Sequence, residues 1–197
     1  MVKLHLGNGC VYLAGYVNIN LSIPGYSFLT TERPDLVKEN MTTLENYYKK
    51  PWSPVPRETT CVCDIYGDMT DLPFADNSVE EILCIQSFEH LSRREAAQAL
   101  DCWYRILTPS GLLHIDVPDF EESVRLLLKE PEEDKKELYY RWVYGSQKNE
   151  GDFHKDGYSL LKLKRLLVSH GFMKIRQINE NLHPYPAIIM EANKPDA

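Results

Sequence analysis

Residues 67–78 read Gly-Asp-Met-Thr-Asp-Leu-Pro-Phe-Ala-Asp-Asn-Ser and lie between two short apolar runs at residues 61–63 and 82–85. The apolar runs have the length of buried strands, and the Leu-Pro-Phe segment between them can close a flat pocket. An adenine ring needs one acceptor for its exocyclic amine and one donor for a ring nitrogen. A buried Asp68 carboxylate beside the backbone N–H of Met69 supplies both, so the stretch predicts a nucleoside pocket. The alternative is an acidic loop that only caps the strands.

The N-terminal segment predicts a ligand that approaches the backbone closely. Residues 3–6 alternate like a short strand and lead into Gly-Asn-Gly at residues 7–9, where the glycines leave room that a Cβ would fill. A nicotinamide-dinucleotide fingerprint would need a third glycine where Tyr12 stands and an acid where Asn20 ends the next strand. Asn20 can still hydrogen-bond a ribose, but it brings no charge. A nicotinamide-binding domain is therefore disfavoured.

Helix signals alternate with strand signals along the rest of the chain. Ser92 and Glu95 form a capping box ahead of a helical apolar stripe, and residues 112–117 have the composition of a buried strand. Asp119 and Ser159 stand where two later helices begin. Strands separated by helices predict a mainly parallel sheet covered on both faces, with the ligand beyond the carboxyl ends of the strands. The residues predicted to bind it at that edge are Gly7, Asn8, Gly9, Asn20, Asp68, Met69 and Gln86.

Segments at residues 4–9, 15–20, 67–74, 87–91 and 107–113 follow one another as motifs of a known family do. They resemble the motifs of class I S-adenosylmethionine-dependent methyltransferases. The closest likeness is to the small predicted methyltransferases often associated with surface-polysaccharide synthesis. Ordered motifs at family-like spacing are far more specific than any one of them, and the resemblance extends over nearly the whole chain.

The resemblance implies S-adenosylmethionine as the cofactor, held by the seven residues at the strand edge. It also implies an α/β fold that is Rossmann-like and doubly wound, with a mainly parallel seven-stranded sheet, an antiparallel terminal strand and three α/β/α layers. Residues 1–197 are expected to form a single methyltransferase domain. Two positions depart from the family pattern: Asn20 replaces the usual acid, and Glu80-Glu81 stand where an aspartate normally opens the fourth strand.

The composition limits the cellular compartments and the binding partners that are expected for this protein. The formal net charge is −7 and no apolar run approaches the roughly 20 residues that span a bilayer, so neither nucleic acid nor membrane is an expected partner. The N-terminus leads into a strand rather than a signal peptide, which favours the cytoplasm. Cys61, Cys63 and Cys84 fall in predicted strands and are expected to be buried, reduced thiols. Cys61-x-Cys63 lacks metal-ligand spacing, so no metal site is expected.

Methyl transfer to a hydroxyl requires a base that takes the proton of the acceptor. His154 is the first candidate, because it lies in a long polar loop at residues 145–157 that resembles the acceptor-side lid of the same methyltransferases. Such a base predicts a rate that rises with pH through a pKa near 6.5, unless the site shifts it. Asp119 is the second candidate, with a simple helix N-cap as the alternative. His90 can serve as a structural cap or as a catalytic group.

The sequence therefore predicts an S-adenosylmethionine-dependent methyltransferase that acts on a small-molecule or sugar acceptor. The main alternative is a methyltransferase fold that keeps the nucleoside pocket but has lost transfer and acts as a binding or scaffold protein. Pro-rich residues 51–56 are predicted to form a rigid connector near the mouth of the site. The oligomeric state stays open.

Overall fold

The computed structural model describes residues 2–49, 60–178, 183 and 185–196. The connector predicted at residues 51–56 lies outside these ranges. In chain order the strands are β1 (Val2–Leu6), β2 (Tyr12–Leu13), β3 (Val17–Asn20), β4 (Ser27–Leu29), β5 (Met41–Thr42), β6 (Cys61–Cys63), β7 (Ile65–Tyr66), β8 (Val79–Ile85), β9 (Leu107–Pro118), β10 (Met173–Ile178) and β11 (Ala187–Asn193). The helices are α1 (Pro34–Asn40), α2 (Leu44–Lys49), α3 (Arg93–Ile106), α4 (Phe120–Lys129), α5 (Glu133–Tyr144) and α6 (Leu160–Ser169), and short 3-10 helices lie at Phe88–His90 and Glu150–Asp152.

Seven of the described strands form one sheet in the order β10-β11-β9-β8-β1-β3-β7. Strands β7, β3, β1, β8 and β9 pair in parallel, and β11 is antiparallel to both of its neighbours. This confirms the predicted Rossmann-like α/β fold with a mainly parallel seven-stranded sheet. The chain moves outward from β1 to β3 and β7 and then returns to β8 on the other side of β1. The strand order therefore reverses between β1 and β8, where sheets of this kind open a ligand crevice.

The strand predicted at residues 61–63 forms, but it does not join the large sheet. β6 pairs with β4 in a separate two-stranded sheet, and the edge position next to β3 belongs to β7. Asp64 lies between β6 and β7. Its N–H donates to the carbonyl of Asn18 and its carboxylate accepts from the N–H of Asn18, each at 2.8 Å. These two bonds fix the bend between β6 and β7 against β3.

The three cysteines predicted to be buried are buried and free. Cys61 and Cys63 lie in β6, and Cys84 lies in β8. Burial raises the pKa of Cys61 to about 12 and that of Cys63 to about 11. At neutral pH both thiols are therefore protonated, which matches a structural rather than a reactive role.

Helix α3 packs against the sheet and begins at the predicted capping box. The N–H of Glu95 donates to Ser92 Oγ at 3.3 Å, and the N–H of Ser92 donates to Glu95 Oε2 at 2.7 Å. Trp103 on this helix is fully buried in the main core with Leu6 of β1 and Ile82 of β8. In the described ranges no helix combines the length and the apolar character needed to cross a bilayer.

Candidate functional site

A cavity of about 220 Å³ lies at the carboxyl ends of β1, β3, β7 and β8. We call it the strand-edge cavity. The chain segments that leave these four strands form much of its wall, as expected for the place where the strand order reverses. The structure brings six of the seven predicted ligand-binding residues to this wall: Gly7, Gly9, Asn20, Asp68, Met69 and Gln86.

Asn8, the seventh predicted residue, does not line the cavity. Its side chain is buried, and its Nδ2 donates to the carbonyls of Val62 at 2.9 Å and Val11 at 3.0 Å. Both bonds tie the loop after β1 to neighbouring backbone. The structure therefore supports a structural role for Asn8 and not the predicted contact with a ligand.

The two loop glycines both adopt positive φ, but their surroundings differ. Gly7 has a φ of +61°, and a Cβ there would lie 2.5 Å from Ser87 Oγ. Ser87 Oγ itself donates to the Gly7 carbonyl at 2.7 Å. Gly9 has a φ of +49°, and within the described ranges a Cβ there would meet no atom within 4 Å beyond those of its chain neighbours. Gly7 is thus required for packing within the protein, whereas the space beside Gly9 is open for a ligand.

Asp68 lines the cavity but is exposed, so the prediction of a buried carboxylate is wrong. Its Oδ1 accepts from the N–H of Thr70 at 2.8 Å and from Thr70 Oγ1 at 2.7 Å. This turn orients the carboxylate and leaves Oδ2 for a ligand. The carbonyl of Met69 accepts from Trp103 Nε1 at 2.8 Å, which anchors the next residue of the wall to α3.

Asn20 lies at the end of β3, where the family pattern has an acid. Its Nδ2 lies 2.8 Å from Cys61 Sγ, and its Oδ1 accepts from the N–H of Leu21 at 2.9 Å. The side chain is held in place by the protein. The hydroxyl of a ligand bound beside Asn20 would share the amide group of Asn20 with Cys61 and Leu21.

We expect Asp68→Asn to weaken the binding of S-adenosylhomocysteine by about 0.5–1.5 kcal/mol, because it replaces an acceptor oxygen with a donor at an exposed position. The bond from Oδ1 to Thr70 survives in the variant, so the turn should keep its shape. Isothermal titration calorimetry measures the affinity. Asp71→Asn, a few residues away and outside the cavity wall, is the matched control. Equal affinities of Asp68→Asn and the wild type would make Asp68 a loop carboxylate only.

A second cavity, of about 210 Å³, adjoins the first and shares Gln86, His90 and Asp152 with it. We call it the loop cavity, because residues 145–154 form part of its wall. Gly145 begins this segment with a φ of +83°, and a Cβ there would lie 1.9 Å from the carbonyl oxygen of Asp152. The loop can fold back on itself only with glycine here. The other residues of the wall are Glu89, Pro118, Arg141, Trp142, Ser146, His154 and Tyr185.

His154 lies in the wall of the loop cavity, on the predicted loop. Its Nδ1 lies 3.1 Å from the carbonyl of Trp142, so the neutral ring donates there and keeps its lone pair on Nε2. Desolvation by burial, followed by the nearby His90 ring, lowers the pKa of His154 to about 4. The imidazole is therefore neutral at pH 7. The pKa near 6.5 that the sequence led us to expect is therefore lowered. A rate that depends on this base should not change with pH between pH 6 and 8.

Glu89 faces His154 across the same cavity. Its Oε1 lies 3.8 Å from His154 Nε2, and its Oε2 has no hydrogen-bond partner among the described residues. The residue is 2% exposed, and burial raises the pKa of the carboxyl to about 8. Glu89 is therefore mainly protonated at pH 7. The sequence alone did not single out Glu89, because no periodicity or spacing distinguishes it from a surface acid.

The raised pKa of Glu89 predicts a pH dependence of stability. Between pH 4.5 and 8 the unfolded chain has lost this proton while the folded protein keeps it, so the free energy of unfolding falls as pH rises. Glu89→Gln removes the titrating group. We expect the fall between pH 5 and 9 to be smaller in the variant by on the order of 1–3 kcal/mol. Urea unfolding with a chelator present measures it, and parallel curves for the two proteins would contradict the burial of a neutral acid.

Gln86 connects the two cavities and is held by a buried carboxylate. Its Nε2 donates to Asp116 Oδ1 at 2.7 Å, and its backbone has a φ of +50°. Asp116 is fully buried, and its Oδ2 also lies 3.1 Å from Tyr48 Oη and 2.5 Å from His183 Nε2. The sequence placed Asp116 inside a buried strand but gave no sign of these partners, since they come from three distant segments.

Asp119, the second predicted catalytic residue, lines neither cavity. Its Oδ1 accepts from the N–H of Glu122 at 3.1 Å, and the residue is the N-cap of α4. The structure therefore supports the alternative of a helix cap and gives no support to the catalytic role.

The sequence profile of a methyltransferase domain family matches residues 33–115 of the chain. The matched span contains Asp68, Met69 and Gln86 of the strand-edge cavity, and the glycine loop at residues 7–9 precedes it. No protein of curated function matches the sequence. The family match covers the part of the chain that crosses from the outer strands back to the centre of the sheet.

Solved structures match the fold over nearly the whole chain. An S-adenosylmethionine-dependent methyltransferase of Thermotoga maritima, described as a possible histamine N-methyltransferase, is 14% identical, with a TM-score of 0.55 over 98% of this chain and 81% of that one. A methyltransferase of Methanosarcina mazei has 14% identity and a TM-score of 0.55 over 99% and 92% of the two chains. The 1,6-didemethyltoxoflavin-N1-methyltransferase of Burkholderia thailandensis, with S-adenosylhomocysteine bound, has 14% identity and a TM-score of 0.52 over 99% and 71%. At this level of identity the likenesses show the fold, which this chain shares with these methyltransferases.

Proposed function

We propose that this protein transfers a methyl group from S-adenosylmethionine to a small-molecule or saccharide acceptor. The observation that carries the proposal is the pair of adjoining cavities, one at the glycine-bounded strand edge and one under the loop. They meet at Gln86, His90 and Asp152. A cofactor in the first cavity and an acceptor in the second would face each other at these residues.

The strand-edge cavity fits a nucleoside cofactor. Gly9 leaves open space beside the backbone, Asp68 Oδ2 can accept from an adenine amine, and Asn20 carries polar atoms for a ribose. Lys155 and Glu95, which form a pair at 3.3 Å, lie in the same wall. Gly9, Asn20, Asp68, Met69 and Gln86 are the residues that we expect to hold the cofactor, with Gly7 shaping the loop.

When bound, S-adenosylmethionine supplies a methyl group on a sulfonium, whose bonding electron pair stays with sulfur as the methyl moves to the acceptor. The chain itself has to align the acceptor atom and remove its proton. His154 Nε2 carries a lone pair at pH 7, because the pKa of this ring is about 4 and its Nδ1 is paired with a backbone carbonyl. We propose that this nitrogen lies next to the acceptor atom and accepts its proton.

The walls of the loop cavity support a small polar acceptor. Trp142 and Tyr185 offer aromatic surface with ring centroids 6.0 Å apart, and Arg141, Ser146 and Glu89 offer polar groups. A volume of about 210 Å³ suits a small molecule or one sugar unit rather than a folded macromolecule. The sequence likeness to polysaccharide-associated methyltransferases favours a saccharide hydroxyl within this class.

Three further expectations belong to this proposal. One core cluster contains buried residues from Leu4 in β1 to Ala192 in β11, which supports a single domain at residues 1–197. Free cysteines support a reducing compartment such as the cytoplasm. The net charge of −7 argues against a nucleic-acid partner.

The proposal is tested by the release of S-adenosylhomocysteine from S-adenosylmethionine in the presence of a panel of hydroxylated small molecules and nucleotide sugars. With at least one acceptor, we expect the rate of S-adenosylhomocysteine release to rise in proportion to the enzyme concentration. Purified protein that binds S-adenosylhomocysteine but releases none with any acceptor would favour the alternative of an inactive binding protein.

A further inference from the structure

We propose that Glu89, His90 and His154 form a binding site for one divalent transition-metal ion, at the boundary between the strand-edge and loop cavities. One ligand atom from each of these side chains lies within 4.8 Å of the other two. Two imidazoles and one carboxylate form a ligand set that suits zinc and related ions.

The distances fit a single ion. Two ligands that each bind an ion at about 2.0–2.2 Å lie about 3–4.4 Å apart. His154 Nε2 and Glu89 Oε1 are separated by 3.8 Å, within that range. The rings of His90 and His154 meet edge to face with centroids 4.9 Å apart. Because the three ligand atoms lie within 4.8 Å of one another, small rotations of the side chains would bring them to bonding distance of one centre.

The outer contacts of both histidines are those that metal ligands need. His90 Nδ1 lies 3.0 Å from the carbonyl of Phe153, and His154 Nδ1 lies 3.1 Å from the carbonyl of Trp142. A ring that donates from Nδ1 to a carbonyl presents Nε2 as the ligand atom and cannot turn away from the ion. Phe153 lies in the folded-back loop and Trp142 in the last turn of α5, so the loop orients the ring of His90 and α5 orients the ring of His154.

The carboxyl of Glu89 supplies the independent sign that a ligand is expected here. It is 2% exposed, and its Oε2 has no hydrogen-bond partner among the described residues. A buried polar atom without a partner is costly, and an ion is one of the groups that satisfies it. A cation bound between Glu89 and the two neutral imidazoles would stabilise the carboxylate in its ionised form.

The position of the site indicates what the ion would do if the proposed function holds. His90 lines both cavities, whereas Glu89 and His154 line the loop cavity, so the open coordination positions face the acceptor. An ion held by these three side chains would offer an open position to an acceptor hydroxyl oxygen and would lower the pKa of that hydroxyl, so that its proton could pass to water. With an ion bound, His154 would be a ligand rather than the base of the proposed function, and the ion would activate the hydroxyl in its place.

The test is calorimetric titration of the chelator-treated protein with Zn²⁺, with Mg²⁺ as a comparison ion. We expect one Zn²⁺ per chain in the wild type and an affinity at least about tenfold lower in both Glu89→Gln and His154→Ala. His170→Ala is the matched control. His170 Nδ1 lies 2.8 Å from Asp101 Oδ1, a histidine–carboxylate pair outside both cavities, and its loss should leave Zn²⁺ binding unchanged.

Three results would overturn the metal site. They are no stoichiometric Zn²⁺ binding by the wild type, an unchanged Zn²⁺ affinity in Glu89→Gln and His154→Ala, or a loss of Zn²⁺ affinity in His170→Ala as large as in those two variants. Circular dichroism establishes that each variant is folded, and His154→Ala keeps the test decisive if the buried Glu89→Gln does not fold. A protein that binds Zn²⁺ but not S-adenosylhomocysteine would support the metal site and contradict the proposed function. A protein that binds S-adenosylhomocysteine but not Zn²⁺ would contradict the metal site alone.

Discussion

His154→Ala should lower methyl transfer by about 10²-fold or more while leaving the affinity for S-adenosylhomocysteine unchanged. The side chain lies in the wall of the loop cavity and not in that of the strand-edge cavity, so its loss should affect the acceptor and not the cofactor. Steady-state release of S-adenosylhomocysteine measures the rate, and calorimetry measures the affinity. His170→Ala serves as the control and should retain the wild-type rate.

Two outcomes would contradict this role of His154. A normal rate in His154→Ala would make the residue structural, and proximity alone would then carry the chemistry. Loss of cofactor affinity would assign the residue to the nucleoside pocket. The effect of a chelator separates base from ligand: a wild-type rate that survives metal removal identifies His154 as the base, and a rate that falls with it identifies a metal ligand.

Gly9→Val should raise the dissociation constant of S-adenosylhomocysteine by at least about tenfold, since it fills space that a ligand needs and the lost contacts correspond to about 1.4 kcal/mol or more. Apart from the chain neighbours of Gly9, no atom of the described residues lies within 4 Å of the added Cβ, so the side chain meets the ligand rather than the protein. The φ of +49° adds backbone strain of roughly 1–2 kcal/mol. Gly7→Val is a poorer test, because its Cβ collides with Ser87.

Gly15→Val separates backbone strain from the blocking of the cavity. Gly15 also has a positive φ, +87°, and open space around its Cβ, but it lies outside the strand-edge cavity wall. Both variants should lose stability, and only Gly9→Val should lose the ligand. Equal ligand binding by the two variants would remove the glycine loop from the cofactor site.

The sequence predicted most of the fold, because the fold depends on local signals that appear in chain order. The capping box at Ser92 and the N-caps at Asp119 and Ser159 each begin a helix where predicted. The prediction was less complete at residues 61–66, where a strand was expected only at residues 61–63. Two short strands form there and join different sheets, because Asp64 bonds to Asn18 between them. Such a bend depends on a tertiary contact, which the spacing of apolar residues along the sequence does not predict.

The residues of the candidate site also fall into a group that the sequence predicted and a group that it did not. Residues that directly follow strands can be predicted to meet at one edge, and all but Asn8 of the predicted set do so. The loop cavity draws on residues from 86 to 185, and their meeting depends on how the segment after α5 folds back at Gly145. Glu89 shows the difference most clearly, because its burial and its unpartnered oxygen follow only from that fold.

Calorimetric titration of the purified protein with S-adenosylhomocysteine, with NAD as the comparison ligand, tests the central claim most directly. We predict one S-adenosylhomocysteine bound per chain and no heat from NAD. At a ligand concentration 100 times the dissociation constant, the folded state should gain about 2.7 kcal/mol and melt at a higher temperature. No heat and no shift in melting temperature with S-adenosylhomocysteine, or binding of NAD in its place, would contradict the proposal that this protein uses S-adenosylmethionine.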